Sequence, residues 1–329
     1  MKRRDFIMVL GGAAAAWPLA ARAQEPDRIR RIGVLNALAE DDAEAQLRTM
    51  IFQRRLRELG WIEGRTIQIE YRWSGGNPER ISSDALELIA MKPDAVLAIT
   101  TPAVLALRQA TRSLPIVFTN VGDPVDSGFV ESLARPGGNV TGIATFVNTM
   151  GGKWLELFKE IAPRVTRVTV ILNPDNPTSR GVLRTIEAAA LSFGIRIGPA
   201  GVRSAGEIER AFGAIALEPD VGLLVVPDPI TVANRALIIG LAAQHRIPAV
   251  YPFRYFVLSG GLISYGTVPE DQYRQAALYI DRILKGANPG ELPVQQPTKF
   301  ELVINLKTAK TMGLTIPESF LVRADEVIE

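Results

Sequence analysis

The sequence predicts an α/β protein built from two similar doubly wound, parallel-sheet lobes joined by a hinge that the chain crosses more than once. Three observations lead there. A chain of 329 residues exceeds what one hydrophobic core usually organises. Apolar β-forming runs alternate with helix-period segments, the pattern of parallel strands covered on both faces. One line is also written twice, as KPDAVLAITTPAVLALRQA at 92–110 and EPDVGLLVVPDPITVANRA at 218–236. Each copy has a Pro-Asp pair, an apolar run, a polar break containing Pro, and a helix-like stretch.

Residues 1–23, MKRRDFIMVLGGAAAAWPLAARA, stand apart from this pattern. A basic start, a modest apolar stretch and the small-x-small end Ala21-Arg22-Ala23 read as a cleaved export signal. Arg3-Arg4-Asp5-Phe6-Ile7, before a Gly/Ala-rich and weakly apolar core, reads as the twin-arginine type. Trp17-Pro18 and the small residues leave this run short of the ~20 apolar residues of a membrane span. The segment carries four basic residues and one acidic one, leaving 33 basic and 34 acidic residues, a balance of −1. So balanced a surface has no electrostatic footprint for nucleic acid. With no Cys there is no disulfide, no thiolate metal site and no lipid-bearing Cys to tether the exported chain. A soluble periplasmic protein, monomeric and without a membrane span, is expected.

The first strand, RIRRIGVLN at 28–36, matches RVTRVTVILN at 164–173, and both end at an Asn. Helix-period segments closed by Gly follow, IFQRRLRELG at 51–60 and VLRTIEAAALSFG at 182–194. Then come second strands (66–73 and 195–202) and helices ending before Pro (81–94 and 205–220). The doubled line supplies third strands, and LPIVFTN and IPAVYPF supply fourths. The offset between copies stays between 126 and 137 residues, from Pro93–Pro219 to Asn36–Asn173, so the whole unit repeats and duplication is favoured. NVTGIATF closes the first lobe, GGLISYG adds a strand, 271–286 forms a helix ended by Gly286, and 288–297 is an extended connector. FELVINLKTAKTMGL supplies a final strand and helix. The expected lobes are 28–148 plus 267–289, and 149–266 plus 290–329.

Ligands of open parallel sheets bind beyond the carboxyl ends of the strands. Asn36 with loop 37–42, Thr100-Thr101, Asn120 to Asp123, Asn173 to Asn176, Pro227-Asp228 and 251–255 fall there. Thr100 and Thr101 precede Pro102, where they can cap a helix or, with its first amides, hold a carboxylate. Asp228, between two prolines, can cap a helix or face a ligand ammonium. Together these corners could bridge a zwitterion. Asp123 reads more readily as an Asp-Pro turn. Tyr251, Phe253, Tyr255 and Tyr265 are core or cleft wall, with Tyr255 and Tyr265 candidates for contact with a ligand. No catalytic constellation emerges, since the sole histidine, His245, falls at a helix C-terminus, where the dipole explains it. PGGN at 136–139 is a turn, and no phosphate or dinucleotide loop follows a strand, so neither cofactor nor metal is expected.

The export signal, the paired lobes, TTPAVLALRQA, FTNVGDPVDSGFVESLARPGGNVTG, ILNPDNP and LPVQQPTKFELVINLKTAKTMGL resemble the substrate-binding proteins of ABC transporters, in the branch related to tryptophan/tyrosine-binding receptors. The likeness covers nearly all of the chain after the signal. It implies a type I periplasmic-binding fold that closes on a small solute and presents it to an inner-membrane permease. By position, Thr100, Thr101, Asp123, Asn173, Asn176, Asp228 and Tyr265 are its expected cleft residues. The first loop, ALAEDDAEA, lacks the His-Pro pair of the aromatic-amino-acid receptors. A receptor that hands its ligand to a signalling system would share this cleft, and an exported enzyme would need a pair of carboxylates within it.

Overall fold

The structure, a computed structural model, describes residues 28–145 and 150–329. The expected export signal and Thr149, the expected start of the second lobe, lie outside the described residues. Strands β1 (Arg30–Asn36), β2 (Ile67–Trp73), β3 (Ala95–Ile99), β4 (Ile116–Val121) and β5 (Val140–Ala144) form one parallel sheet in the order β2-β1-β3-β4-β5. The next five, β6 (Arg167–Leu172), β7 (Arg196–Gly201), β8 (Val221–Val225), β9 (Ala249–Tyr251) and β10 (Ile263–Thr267), repeat that order as β7-β6-β8-β9-β10. The doubled sequence line is thus a doubled topology, with β3 and β8 in equivalent central positions.

Alternation along the strands explains the two layers on each sheet. Ile32, Val34, Leu97 and Ile99 pack with Phe52 and Leu56 of helix α1 (Ala43–Glu58). Leu35, Val96 and Ala98 point to the opposite face, against α2 (Pro78–Ala90) and α3 (Thr101–Ala110). All five residues of β3 are buried, and each large aliphatic contributes about 1.5–3 kcal/mol through burial. In the second lobe α4 (Met150–Ile161) and α5 (Pro177–Phe193) cover one face, and α6 (Ala205–Ile215) with α8 (Arg235–Gln244) the other. Two short helices, α7 (Pro229–Ala233) and α9 (Arg254–Leu258), follow β8 and β9 on the cleft side.

The chain passes between the lobes three times. It leaves β5 for α4, leaves β10 for α10 (Pro269–Leu284), which packs on the first sheet beside α1, and returns to β11 (Phe300–Asn305). Before that return, Leu292 and Val294 are buried with the first lobe, and Gln295 bonds to both Gly142 and Ala144 of β5. Because β11 re-enters from the hinge side, it runs antiparallel to β10, with Thr267 opposite Phe300. Helices α11 (Leu306–Thr311) and α12 (Glu318–Leu321) then lead to β12 (Glu326–Ile328), an edge strand the sequence pattern does not announce.

Two helices begin earlier than hydrophobic periodicity predicts. Asp42 caps α1 by accepting from the Ala45 amide at 2.9 Å, and Asn176 caps α5 by accepting from Thr178 at 3.0 Å. The polar first turns of both helices hide from a count of apolar spacing. His245 does sit at the C-terminus of α8, and the 136–139 segment is a turn, with Gly137 at φ +81°.

Candidate functional site

The carboxyl ends of the two sheets face each other across an interlobe cavity, the place where open parallel sheets bind ligands. The carboxyl ends of β1, β3, β4 and β5, with the loops and the start of α3 that follow them, supply Leu38, Thr100, Thr101, Asn120, Gly122 and Thr145, while α1 adds Arg48. From the second lobe come Asn176, Thr178, Pro227, Asp228, Pro229, Val232, Phe253 and Tyr255. Six of the ten residues expected from sequence therefore meet here: Thr100, Thr101, Asn120, Asn176, Asp228 and Tyr255.

Thr100 holds the N-cap position of α3, yet its side chain makes no capping bond. Its backbone stands at φ +86° and ψ 158°, a region that costs a non-glycine residue about 1–3 kcal/mol. Its hydroxyl is buried with no partner in the protein. The capping role open to it in the sequence is therefore not used. Thr101 instead reaches across the cleft, its hydroxyl 2.8 Å from that of Thr178. Asn120, also at positive φ, donates to the Tyr273 hydroxyl at 3.3 Å and keeps a buried, unpartnered carbonyl oxygen.

Asp228 is both a cap and a cavity residue. Its Oδ1 accepts from the Ile230 amide at 2.9 Å and from Asn173 at 3.2 Å, and its Oδ2 accepts from Asn176 at 2.9 Å. Burial raises its pKa, and the bonds from Asn176, the Ile230 amide and Asn173 oppose that rise. A carboxylate oxygen has two lone-pair sites, so Oδ2 retains capacity for one more donor.

Four expected residues lie outside the lining. Asn173 stands behind Asp228 and braces it, with its own Oδ1 taken by the Asp175 amide. Asn36 is wholly buried and turns its Oδ1 onto the Leu38 amide, shaping the first loop. Asp123 closes an Asp-Pro turn through the Val125 and Asp126 amides. Tyr265 stacks on Phe300 at 5.9 Å, on the sheet face of the second lobe that α4 covers. The strand period, which alternates faces, places it there.

These features find counterparts among known proteins. Residues 31–328 match the model of the family described as ABC transporter substrate binding protein. The chain belongs to this family. It is 28% identical, over 80% of its length and 75% of the relative's, to a tyrosine-binding protein from Clostridioides difficile strain R20291. A Streptococcus pneumoniae ABC domain solved in complex with L-Trp superposes with a TM-score of 0.86 at 27% identity, covering 92% of this chain and all of the other. The ligand-free, open structure of a Clostridium difficile substrate-binding protein with adhesive properties gives 0.66 at 25% identity, covering 91% and 99%. The fold is the type I periplasmic-binding fold. Among the described residues no helix is long and apolar enough to cross a membrane, and no cluster of three or more His, Asp or Glu is placed to hold a metal.

The ABC substrate-binding protein also contains one cleft residue, Arg48, that its sequence did not point to directly. Arg48 is 2% exposed, and its guanidinium lies 4.9 Å from the Tyr255 ring across the cleft. Its signal was an arginine on the apolar stripe of α1, in line with Ala45, Phe52 and Leu56. Phe253, expected from sequence as core or cleft wall, stacks on Tyr255 at 5.4 Å, and Phe256 stacks on it at 5.1 Å. Burial pushes the Tyr255 hydroxyl up to about 12. That hydroxyl is a neutral group with no hydrogen-bond partner in the protein.

Proposed function

We propose that this protein is the periplasmic solute-binding component of an ABC importer that closes its cleft on an amino acid or a similar zwitterion and delivers it to an inner-membrane permease. Export by the twin-arginine signal at 1–23, release of a monomer starting near Gln24, and the absence of catalysis complete the reading. The observation that carries it is the set of buried, unpartnered polar atoms around the interlobe cavity: Thr100 Oγ1, Asn120 Oδ1 and the Tyr255 hydroxyl. A buried polar group without a partner costs about 1–3 kcal/mol. Three such groups around one cavity are supported best as groups that a polar solute satisfies.

The division of the cavity supports a zwitterion. Asp228, on the second lobe, offers an anion to an ammonium, while the first lobe offers hydroxyls and the start of α3 to a carboxylate. Leu38, Val232, Phe253 and the two prolines around Asp228 form an apolar wall for the remainder of the solute. Relatives named for tyrosine or solved with L-Trp make large aromatic amino acids the first solutes to try. Closure is supported by the two superpositions, because similar identities of 27% and 25% accompany TM-scores of 0.86 to the L-Trp complex and 0.66 to the open, ligand-free relative.

Calorimetric titration with the twenty amino acids, each paired with its amine-free carboxylate, tests this. Binding of one amino acid or a narrow set is expected, with the amine-free mate at least ~30-fold weaker for want of the charge pair to Asp228. No binding anywhere in the panel rejects the amino-acid reading, and equal binding of both mates rejects the role of Asp228. The comparison is best made on the ligand, because Asp228→Asn would set an amide donor against the donors of Asn173 and Asn176.

A further inference from the structure

We propose that Arg48 is the residue that takes the carboxylate of the solute, and that it makes the site specific for carboxylates. The inference deepens the amino-acid reading and rests on it. From sequence, the carboxylate is assigned to the start of α3. The structure adds a buried cation on the same lobe, lining the same cavity as Thr100.

Arg48 is under-committed for a buried arginine. It offers five donors. One bond is made within its own helix, from Nη2 to Glu44 at 3.2 Å, and Nε is buried with no partner. The remainder of its environment is the Tyr255 ring and the Tyr255 and Tyr273 hydroxyls, neutral groups that attract the charge without balancing it. Arg235, which also lies beside that ring at 5.9 Å, differs in this respect. It is bonded to Asp42 at 2.6 Å and to the Val232 carbonyl at 3.1 Å, so its charge is already balanced across the cleft. Arg48 is left as the cavity's cation with donors to spare. A planar fork lining the same cavity as a free threonine hydroxyl suits a carboxylate better than a hydroxyl or an amide would. With Asp228 on the opposite wall, the cavity presents a cation and an anion to the two ends of one zwitterion.

A purely structural Arg48 would serve to pin α1 to Tyr255 and would contribute equally to any ligand that needs the closed form. The two roles therefore differ in discrimination rather than in affinity alone. The test titrates wild type, Arg48→Met and Arg48→Lys with the amino acid that wild type binds best in the twenty-member panel, and with its decarboxylated amine, for example L-tyrosine with tyramine. The expected wild type prefers the amino acid by at least ~30-fold, a preference that collapses to within a few-fold in Arg48→Met and is partly restored in Arg48→Lys. Thermal unfolding establishes that each variant is folded, and should Arg48→Met not fold, the preference of Arg48→Lys and of Thr100→Val decides, each being expected to fall. If affinity drops equally for both mates, or the preference survives in the variants, Arg48 does not read the carboxylate although the solute-binding reading stands. If wild type binds no amino acid, both fall together.

Discussion

Single residues carry this cleft, and they are the residues that break local rules. Thr100 occupies backbone space suited to glycine, Arg48 sits on an apolar helix stripe, and Asp228 is buried with its pKa raised. Of these, Thr100 and Asp228 were legible in the sequence because a Pro comes within two residues of each, just past the end of a strand. Arg48 was not, since the same helix carries Arg54, Arg55 and Arg57 after it, two of them exposed, and nothing local sets Arg48 apart from them. Away from the cleft, Glu301 on β11 follows similar logic without a ligand to justify it. Burial pushes its carboxyl up to about 7, Arg254 at 3.8 Å opposes that rise, and its Oε1 has no partner. A carboxyl whose folded pKa exceeds its unfolded one favours folding fully below the unfolded value, and this contribution is lost as pH rises towards the folded value. Stability should therefore fall between about pH 4.5 and pH 7 on account of this group. Glu301→Gln is expected to be more stable than wild type by about 1 kcal/mol at pH 8, after discounting for partial exposure, and not at pH 4.5. Denaturant midpoints at the two pH values check this, and a pH-independent difference would contradict it.

At the scale of elements, the duplicated strand-helix order was readable because strand periodicity, Pro-Asp breaks and closing glycines are local signals. What escaped was non-local. The reversal of β11 and the edge strand β12 depend on how the chain returns across the hinge, which no window of sequence records. One buried side chain organises that hinge. Gln272 of α10 accepts at Oε1 from the hydroxyls of Thr119 and Thr145, at 3.0 and 3.1 Å, and from the Asn120 amide at 3.3 Å. Its Nε2 donates to Thr267 at 3.1 Å. Thr119 lies on β4, Thr145 begins the first crossing and Thr267 ends β10 before the second, so a single amide joins three passing segments to α10. Gln272→Leu removes all four bonds while filling a similar volume, leaving several buried donors unpaired. A loss of about 2–4 kcal/mol is expected, read as a lowered melting temperature. A variant as stable as wild type would show that these bonds do not hold the hinge.

For the whole molecule the question is what free energy holds the lobes together. Among the described residues the ion pairs and hydrogen bonds across the cleft are few and of unequal value. Arg184 and Asp126, 2.5 Å apart, are both more than 45% exposed, so their pair is worth at most about 1 kcal/mol. Arg235 and Asp42 are better shielded, at 22% and 10%, and Thr101 meets Thr178 in a buried contact. These polar ties sum to only a few kcal/mol, Leu38, Ala45 and Trp73 of the first lobe add apolar packing against the second, and a solute that bridges Arg48 and Asp228 adds to the same balance. Solute at ~100 times its dissociation constant should stabilise the fold by about 2.7 kcal/mol and raise the melting temperature by several degrees. Solution scattering should show a smaller radius with solute than without. Removing the two ion pairs through Arg184→Ala and Arg235→Ala tests the balance itself. If the solute binds only the closed form, apparent affinity falls in proportion to the closed fraction. Ties worth ~1–2 kcal/mol then predict affinity weaker by about 5- to 30-fold, together with a larger radius for the free double variant and an unchanged radius at saturation. Both shifts report one free energy and must agree. An affinity loss with no change in the free protein's radius would place the two arginines in solute contact instead, and a scattering curve indifferent to solute in wild type would reject closure outright.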